Sequence, residues 1–124
     1  MMHPLLRALT EYLSDSGLPL YLADCVPQGQ PFPYLTADAT LPCTGEKRGR
    51  ITLTLWCAGS GANAVRLVLH DSLMQYFPRR GLCLSTDAGL AVLRPGSVRF
   101  VQQDAALGLE TTLDVHFFPG EEGG

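Results

Sequence analysis

Apolar and polar residues alternate most clearly between Gly49 and Cys57. The apolar side carries Ile51, Leu53, Leu55 and Cys57, and the other side carries Arg50, Thr52, Thr54 and Trp56. This period of two, with its β-branched and aromatic content, predicts a β-strand. Because Trp56 shares the polar side, we expect that face to be partly covered.

A helix is predicted directly after this strand. Gly59-Ser60-Gly61 interrupts the alternation, and residues 62–77 then show helical spacing up to Pro78, which ends the helix. The predicted core stripe of this helix consists of Val65, Val68, Leu69, Ser72, Leu73 and Tyr76. The centre of the molecule is therefore one strand that leads into one helix lying across its sheet.

The remaining pattern adds a second helix and several short strands. We predict an amphipathic helix at 4–16 and strands at 20–23, 32–40, 82–85, 89–93, 97–102 and 109–117. We also predict a turn at Pro95-Gly96, a loop at 104–108, an exposed polar loop at 42–48 that a neighbour would order, and a loose tail at 119–124. Consecutive short strands with turn signals favour one α+β domain over residues 1–124. Its mainly antiparallel sheet would pack against two helices.

Composition bears on how the surface is used. Charged residues make up 17% of the 124-residue chain, below the usual value of about 25%. We therefore expect some apolar surface to be covered, most simply by another subunit. The net charge of −3 argues against a general nucleic-acid binder. No apolar run approaches the roughly 20 residues that a membrane span needs.

The four cysteines do not form a metal-binding pattern. Cys25, Cys43, Cys57 and Cys83 include no Cys-x-x-Cys pair. We also expect no secretory leader, because His3 and Pro4 interrupt the start and the apolar run from Leu5 to Leu9 is too short and too polar for one. We expect reduced thiols in an intracellular protein, without a disulfide or a bound metal. The strand positions of Cys57 and Cys83 suggest buried, inert thiols, whereas Cys25 and Cys43 lie in predicted loops.

Other candidate chemistry is sparse. His70 and Asp71 are adjacent in the predicted helix and point in different directions, and no further ligand follows at helical spacing. Asp114 and His116 share one strand face and could form half of a site, although a solvated or interface pair is favoured. Gly59-Ser60-Gly61 lacks the rest of a nucleotide fingerprint. We therefore expect a non-enzymatic protein with no catalytic residue and no cofactor.

Charged clusters are the remaining candidates for function. The basic clusters are Lys47, Arg48 and Arg50, and Arg79 with Arg80; the acidic candidates are Glu110, Asp114 and the Glu121-Glu122 tail. Solvated surface charge and contact with a neighbouring subunit remain equally open for the basic clusters. In an acidic protein, patches of both signs suit self-association or partner docking.

The order of these features resembles the tail terminator, or tail completion, proteins of long-tailed bacteriophages and prophages. A short amphipathic helix precedes Pro31-Phe32-Pro33-Tyr34, and a polar loop leads to the strand that contains Trp56. A glycine-containing break, a helix and antiparallel strands follow. The resemblance covers nearly the whole chain as an order of elements.

This resemblance implies a structural virion protein that assembles in the host cytoplasm. Its subunits would form a ring, in that family a hexamer, that caps the tail tube, stops tube polymerisation and joins the tail to the head connector. The implied partners are other copies of the chain, the major tail tube protein and a connector or neck protein; DNA passes through such a ring without sequence-specific recognition. The alternatives are a neck or head-completion protein of the same particle, a small cytosolic oligomeric ligand-binding domain, and an enzyme that uses Cys25 or Cys43.

Overall fold

The computed structural model describes residues 4–40, 48–86 and 89–119. The helices are α1 (Pro4–Tyr12), followed by a 3-10 turn at Leu13–Ser16, and α2 (Ala62–Met74). The strands are β1 (Leu20–Leu22), β2 (Tyr34–Thr40), β3 (Arg48–Cys57), β4 (Leu82–Thr86), β5 (Gly89–Gln103) and β6 (Ala106–Pro119). They form one six-stranded sheet in the order β1-β2-β3-β6-β5-β4.

The architecture is mainly β, with two helices, and confirms the predicted α+β class. The sheet is mixed rather than purely antiparallel, because β1 pairs parallel with β2 and every other neighbouring pair is antiparallel. Parallel neighbours need a long crossover connection instead of a tight hairpin. The proline-containing segment between Leu22 and Tyr34 is this connection.

The predicted alternation in β3 is confirmed. Its apolar side is buried, and cross-strand pairing aligns Leu53 with Thr111 and Leu55 with Leu109 of β6 on the same face. Both helices lie on this face: α1 contributes Leu5 and Leu9, which are fully buried in the same core. We call this side of the sheet the core face and the opposite side the open face.

The predicted strands at 89–93 and 97–102 are one strand, and the Pro95-Gly96 turn is wrong. Strand β5 continues through these residues with a register shift between Pro95 and Val98, where one extra residue is accommodated against β6. A β-bulge tolerates proline inside a sheet because the bulged residue leaves the hydrogen-bond ladder. The hairpin between β5 and β6 is correspondingly tighter than the predicted loop at 104–108, and β6 already begins at Ala106.

The predicted core stripe of α2 is wrong at Val65, Val68 and Ser72, which are exposed, whereas Leu73 is buried and Leu69 and Tyr76 pack partly buried against the core. The buried residues are Ala62, Arg66, His70 and Leu73, whereas Val65 and Val68 are 44% and 65% exposed. The sheet beneath α2 offers polar partners to Arg66 and His70, so these long polar side chains can be buried. The predicted helix to Phe77 ends instead at Met74 and continues as a turn.

Two predictions fall mainly on residues that the structure does not describe. Residues 41–47 of the predicted polar loop lie outside the described ranges, and Arg48 is the first residue of β3. Residues 120–124 of the predicted tail also lie outside them, whereas Pro119 ends β6. Among the described residues, no helix is long and apolar enough to cross a membrane.

Candidate interaction surfaces

The open face of the sheet carries four of the charged residues singled out from the sequence, namely Arg48, Arg50, Glu110 and Asp114. Neither described helix lies on it, and its central strands present side chains that alternate with the buried core residues. Across β3 and β6, Arg50 pairs with Asp114, Thr52 with Thr112 and Thr54 with Glu110. The open face is therefore polar and partly charged at its centre.

Asp114 lies between two arginines on neighbouring strands. Its cross-strand partners are Arg50 in β3 and Arg94 in β5. The Arg50 Nε lies 3.9 Å from the Asp114 carboxylate, and both side chains are 66% exposed. Together with Arg48 they line a shallow depression of about 530 Å3. Such an exposed pair contributes little stability, about 0–1 kcal/mol, and leaves positive charge in excess.

Arg79 and Arg80 belong to the same end of the molecule. They are exposed in the turn between α2 and β4, and a Cβ atom placed on the following Gly81 would lie 3.3 Å from the Arg94 Cγ. Arg94 thus connects the two basic clusters that the sequence shows separately. We call Arg48, Arg50, Arg79, Arg80 and Arg94 the basic end; Lys47 lies outside the described residues.

Neither predicted acidic candidate on β6 is free of a partner in its own chain. Asp114 contacts Arg50, and the Glu110 carboxylate accepts a 2.8 Å contact from the Arg99 guanidinium. Arg79 and Arg80 differ, since no ion pair between described residues involves them. The Glu121-Glu122 pair lies outside the described ranges.

An aromatic cleft lies at the opposite end of the open face. It has a volume of about 490 Å3 and is walled by Phe32, Tyr34 and Trp56, with Asp104 of the β5–β6 hairpin at its rim. The rings of Phe32 and Tyr34 are 5.1 Å apart. A cleft of this size, mostly apolar with few polar groups, is typical of a binding site. We call these four residues the aromatic cleft.

Trp56 is held in the cleft by two contacts. Its indole Nε1 donates a 3.0 Å hydrogen bond to Thr36 Oγ1. Its ring also covers Gly108, where an added Cβ atom would lie 3.0 Å from the indole Cε3. The predicted partial burial of Trp56 is confirmed, and the covering groups are the cleft residues and the β6 backbone rather than a helix.

A buried polar seam joins α2 to β6 on the core face. The Arg66 guanidinium donates to the Gly108 carbonyl at 2.9 Å and to Asn63 Oδ1, and it lies 4.7 Å from the centre of the Phe100 ring. The His70 Nε2 lies 2.8 Å from Thr111 Oγ1. Burial lowers the pKa of His70, with Asp71 opposing the shift, so the imidazole in this contact is neutral near pH 7.

The exposure of the cysteines differs in part from the sequence expectation. Cys57 is buried, and burial raises the pKa of its thiol more than Arg66 lowers it. Cys83 is exposed, which corrects its predicted burial, because its side chain lies on the open side of edge strand β4. Cys25 is exposed as well, and Cys43 lies outside the described residues. In the described ranges no three His, Cys, Asp or Glu side chains form a metal-binding group.

Asp114 and His116 each contact a different neighbour within the chain. Asp114 contacts Arg50, and the His116 ring stacks on Phe118 with ring centres 4.3 Å apart. Neither contact is part of a cluster of metal ligands among the described residues. The pair therefore forms a charged and aromatic strip on the open face.

Comparison with known proteins shows the fold and no more. No protein-family model matches the chain, and no curated protein matches it. Four solved chains are similar. One of them, whose name states no function, matches with a TM-score of 0.59 and 16% sequence identity over 94% of each chain.

Sequence reasoning missed Arg94, Phe32 and Asp104 as members of these surfaces. Arg94 was not predicted as a surface residue of the sheet because Pro95-Gly96 suggested a turn beside it. Pairing of β5 with β6 places Arg94 beside Asp114. Phe32 was read only as the start of a strand. The combination of Phe32, Tyr34 and Trp56 required the register between β2 and β3, in which Tyr34 pairs with Trp56.

Proposed function

We propose that this chain is a structural subunit of bacteriophage tail assembly. Copies of it form a ring on the end of the tail tube, stop tube polymerisation and present a surface to the head connector. The observation that carries the proposal is the order of elements: an amphipathic helix, a proline-containing connection, a strand with Trp56, a second helix and long antiparallel strands. The resemblance to tail terminator proteins rests on the same order of elements.

The described surface supports a role in assembly. Several large apolar side chains are exposed, among them Val68 and Phe100 at 65% and 60% exposure. This agrees with the low content of charged residues. The two ends of the open face differ in character. The basic end carries arginines, and the opposite end carries the aromatic rings and Asp104 of the cleft. Exposed apolar patches of this kind mark surfaces that another protein covers.

The test is tube capping with purified components. Tail tube protein from the encoding phage or prophage is polymerised with and without the chain, and the products are imaged by electron microscopy. We expect shorter tubes with a ring at one end only. A tube length that does not change with added chain, or binding along the tube walls, would contradict the proposal.

A small ligand-binding domain is the second candidate, and the aromatic cleft is the observation that favours it. The cleft volume of about 490 Å3 lies within the 300–1,000 Å3 range typical of small-molecule sites. Native mass spectrometry of the purified chain separates the two functions. A retained small molecule of fixed mass favours ligand binding, and a defined oligomer on tail tubes favours assembly. A neck protein of the same particle would bind the connector instead of the tube.

A further inference from the structure

The two ends of the open face differ in charge and shape in a way that fits one copy of the chain to the next. We propose that the Arg79-Arg80 turn of one copy docks into the aromatic cleft of a neighbouring copy. This inference rests on the proposed ring function and names the contact that would build the ring. It replaces Glu110 and Asp114 as the acidic partners of these arginines.

The cleft has the chemistry that a guanidinium requires. Phe32, Tyr34 and Trp56 offer aromatic faces, and Asp104 offers a carboxylate at the rim. Arginine over an aromatic ring is attracted by the ring quadrupole, most strongly when the ring is tryptophan. The chain already contains one such contact, since the Arg66 guanidinium lies 4.7 Å from the Phe100 ring centre.

Acidic residues around the cleft add to its attraction for a guanidinium. Asp104 lines it, and the exposed Asp24 directly follows Ala23, another lining residue. The nearest arginine on the same hairpin, Arg99, is engaged by Glu110 at 2.8 Å. The cleft end therefore carries carboxylates without a described ion-pair partner, opposite in sign to the basic end.

The Arg79-Arg80 turn is the best available donor at the basic end. Both arginines are exposed and belong to no ion pair between described residues. Arg50, by contrast, has Asp114 beside it, and Arg48 and Arg94 line the depression that contains the same carboxylate. A guanidinium without an internal partner gains more from a new carboxylate and aromatic contact, because no existing contact has to be broken.

The direction of α2 places donor and cleft at opposite ends of the subunit. Along β6, Gly108 contacts Arg66 and Thr111 contacts His70, so α2 runs away from the cleft toward the arginine turn. Its 13 residues span about 20 Å at 1.5 Å per residue. Donor and acceptor patches that lie apart on one subunit make a head-to-tail contact, which closes into a ring when the rotation permits.

The experiment compares three variants of the full chain. The donor variant is Arg79→Glu/Arg80→Glu, and the cleft variant is Phe32→Ala/Asp104→Asn. Asparagine is chosen because Asp104 has a φ of 53°, which asparagine tolerates better than most residues other than glycine. The control is Arg48→Glu/Arg50→Glu, which changes the net charge equally at the same end. Thermal unfolding checks the fold of each; if the cleft variant is unfolded, Asp104→Asn alone replaces it.

Sedimentation and fluorescence against protein concentration supply the readout. Trp56 is the single tryptophan and lies in the cleft, so its emission should shift as copies associate. We expect the donor and cleft variants each to raise the dissociation constant at least tenfold, and the control to raise it by clearly less. Equal losses from donor and control variants would indicate general charge attraction and overturn the specific contact.

Mixing the two defective variants gives the most selective result. The donor variant retains an intact cleft and the cleft variant retains an intact arginine turn, so we expect a 1:1 dimer that cannot grow further. No dimer on mixing, or a wild-type chain that stays monomeric up to millimolar concentration, would overturn the inference. If the wild-type chain caps tubes but the cleft variant associates normally, the inference is overturned and the proposed function stands. If the chain associates through the cleft but does not recognise tubes, only the proposed function is overturned.

Discussion

At the scale of single residues, Gly108 shows how closely the two faces of the sheet are coupled. Its Cα lies beneath the Trp56 ring on the open face, and its carbonyl accepts the hydrogen bond from Arg66 on the core face. A Cβ added there would lie 2.7 Å from Val101 Cγ2. The absence of a side chain at this position therefore allows the cleft and the polar seam to share one backbone segment.

Gly108→Ala should consequently destabilise the fold. We expect a loss of about 1–3 kcal/mol in the free energy of unfolding, the usual range for overpacking, measured by urea denaturation followed through Trp56 emission. The double variant Val101→Ala/Gly108→Ala provides the control, because it removes one of the two clashing groups. It should lose less than the sum of the single variants, and strict additivity would contradict the packing argument.

Thiol reactivity provides a second test at this scale. Cys25 and Cys83 are exposed, whereas Cys57 is buried with a raised pKa, and only the thiolate reacts. In the native chain we expect alkylation of Cys25 and Cys83 well before Cys57, measured by mass spectrometry of peptides after timed quenching. Urea should make all three react at similar rates. Early modification of Cys57 in the native chain would show that the core around it opens readily.

At the scale of elements, α2 departs furthest from its sequence pattern. Apolar residues at helical spacing predict a core stripe, yet Val65 and Val68 face outward while Arg66 and His70 face the sheet. The strand residues beneath the helix decide the orientation: the Gly108 carbonyl and the buried Thr111 hydroxyl need polar partners. An unpaired buried polar group would be destabilising by about 1–3 kcal/mol, so the helix turns its polar side chains inward.

The His70 contact predicts a pH dependence of stability. Its folded-state pKa is lowered mainly by burial, so below about pH 6.5, the ordinary value, the unfolded chain binds the proton more readily. Stability is then fully present above pH 6.5 and falls as the pH decreases toward the lowered folded-state pKa. His70→Gln retains a polar side chain but does not titrate. The wild type should lose more unfolding free energy than this variant between pH 7.5 and 5.5, and parallel losses would exclude His70 as the cause.

At the scale of the whole molecule, the sequence predicted local elements better than their assembly. The period-two pattern located β3 and β6 because each has one buried face, and Pro78 and Gly17 marked helix boundaries correctly to within a turn. Pairing was not accessible in this way: the parallel neighbour β1, the bulge at Pro95 and the convergence of Arg94 with both basic clusters depend on contacts between residues distant in the chain. The aromatic cleft depends on strand register for the same reason.

The basic end carries the prediction that concerns the whole assembly. Arg79→Glu/Arg80→Glu changes two exposed side chains outside the core, so we expect a folded subunit with an unchanged circular dichroism spectrum. In a complementation assay with the encoding phage, this variant should give overlong tails, or tails that fail to join heads, because like charges would oppose each other where subunits meet. Exposed charge pairs are worth only about 0–1 kcal/mol each, so they would direct register while apolar surface supplies most of the affinity.

Arg7→Glu, an exposed change on α1, is the control and should give normal particles. Normal particles at normal yield from the Arg79→Glu/Arg80→Glu variant would remove these arginines from the interface and leave the exposed apolar side chains of α2 and β5 as the remaining contact surface.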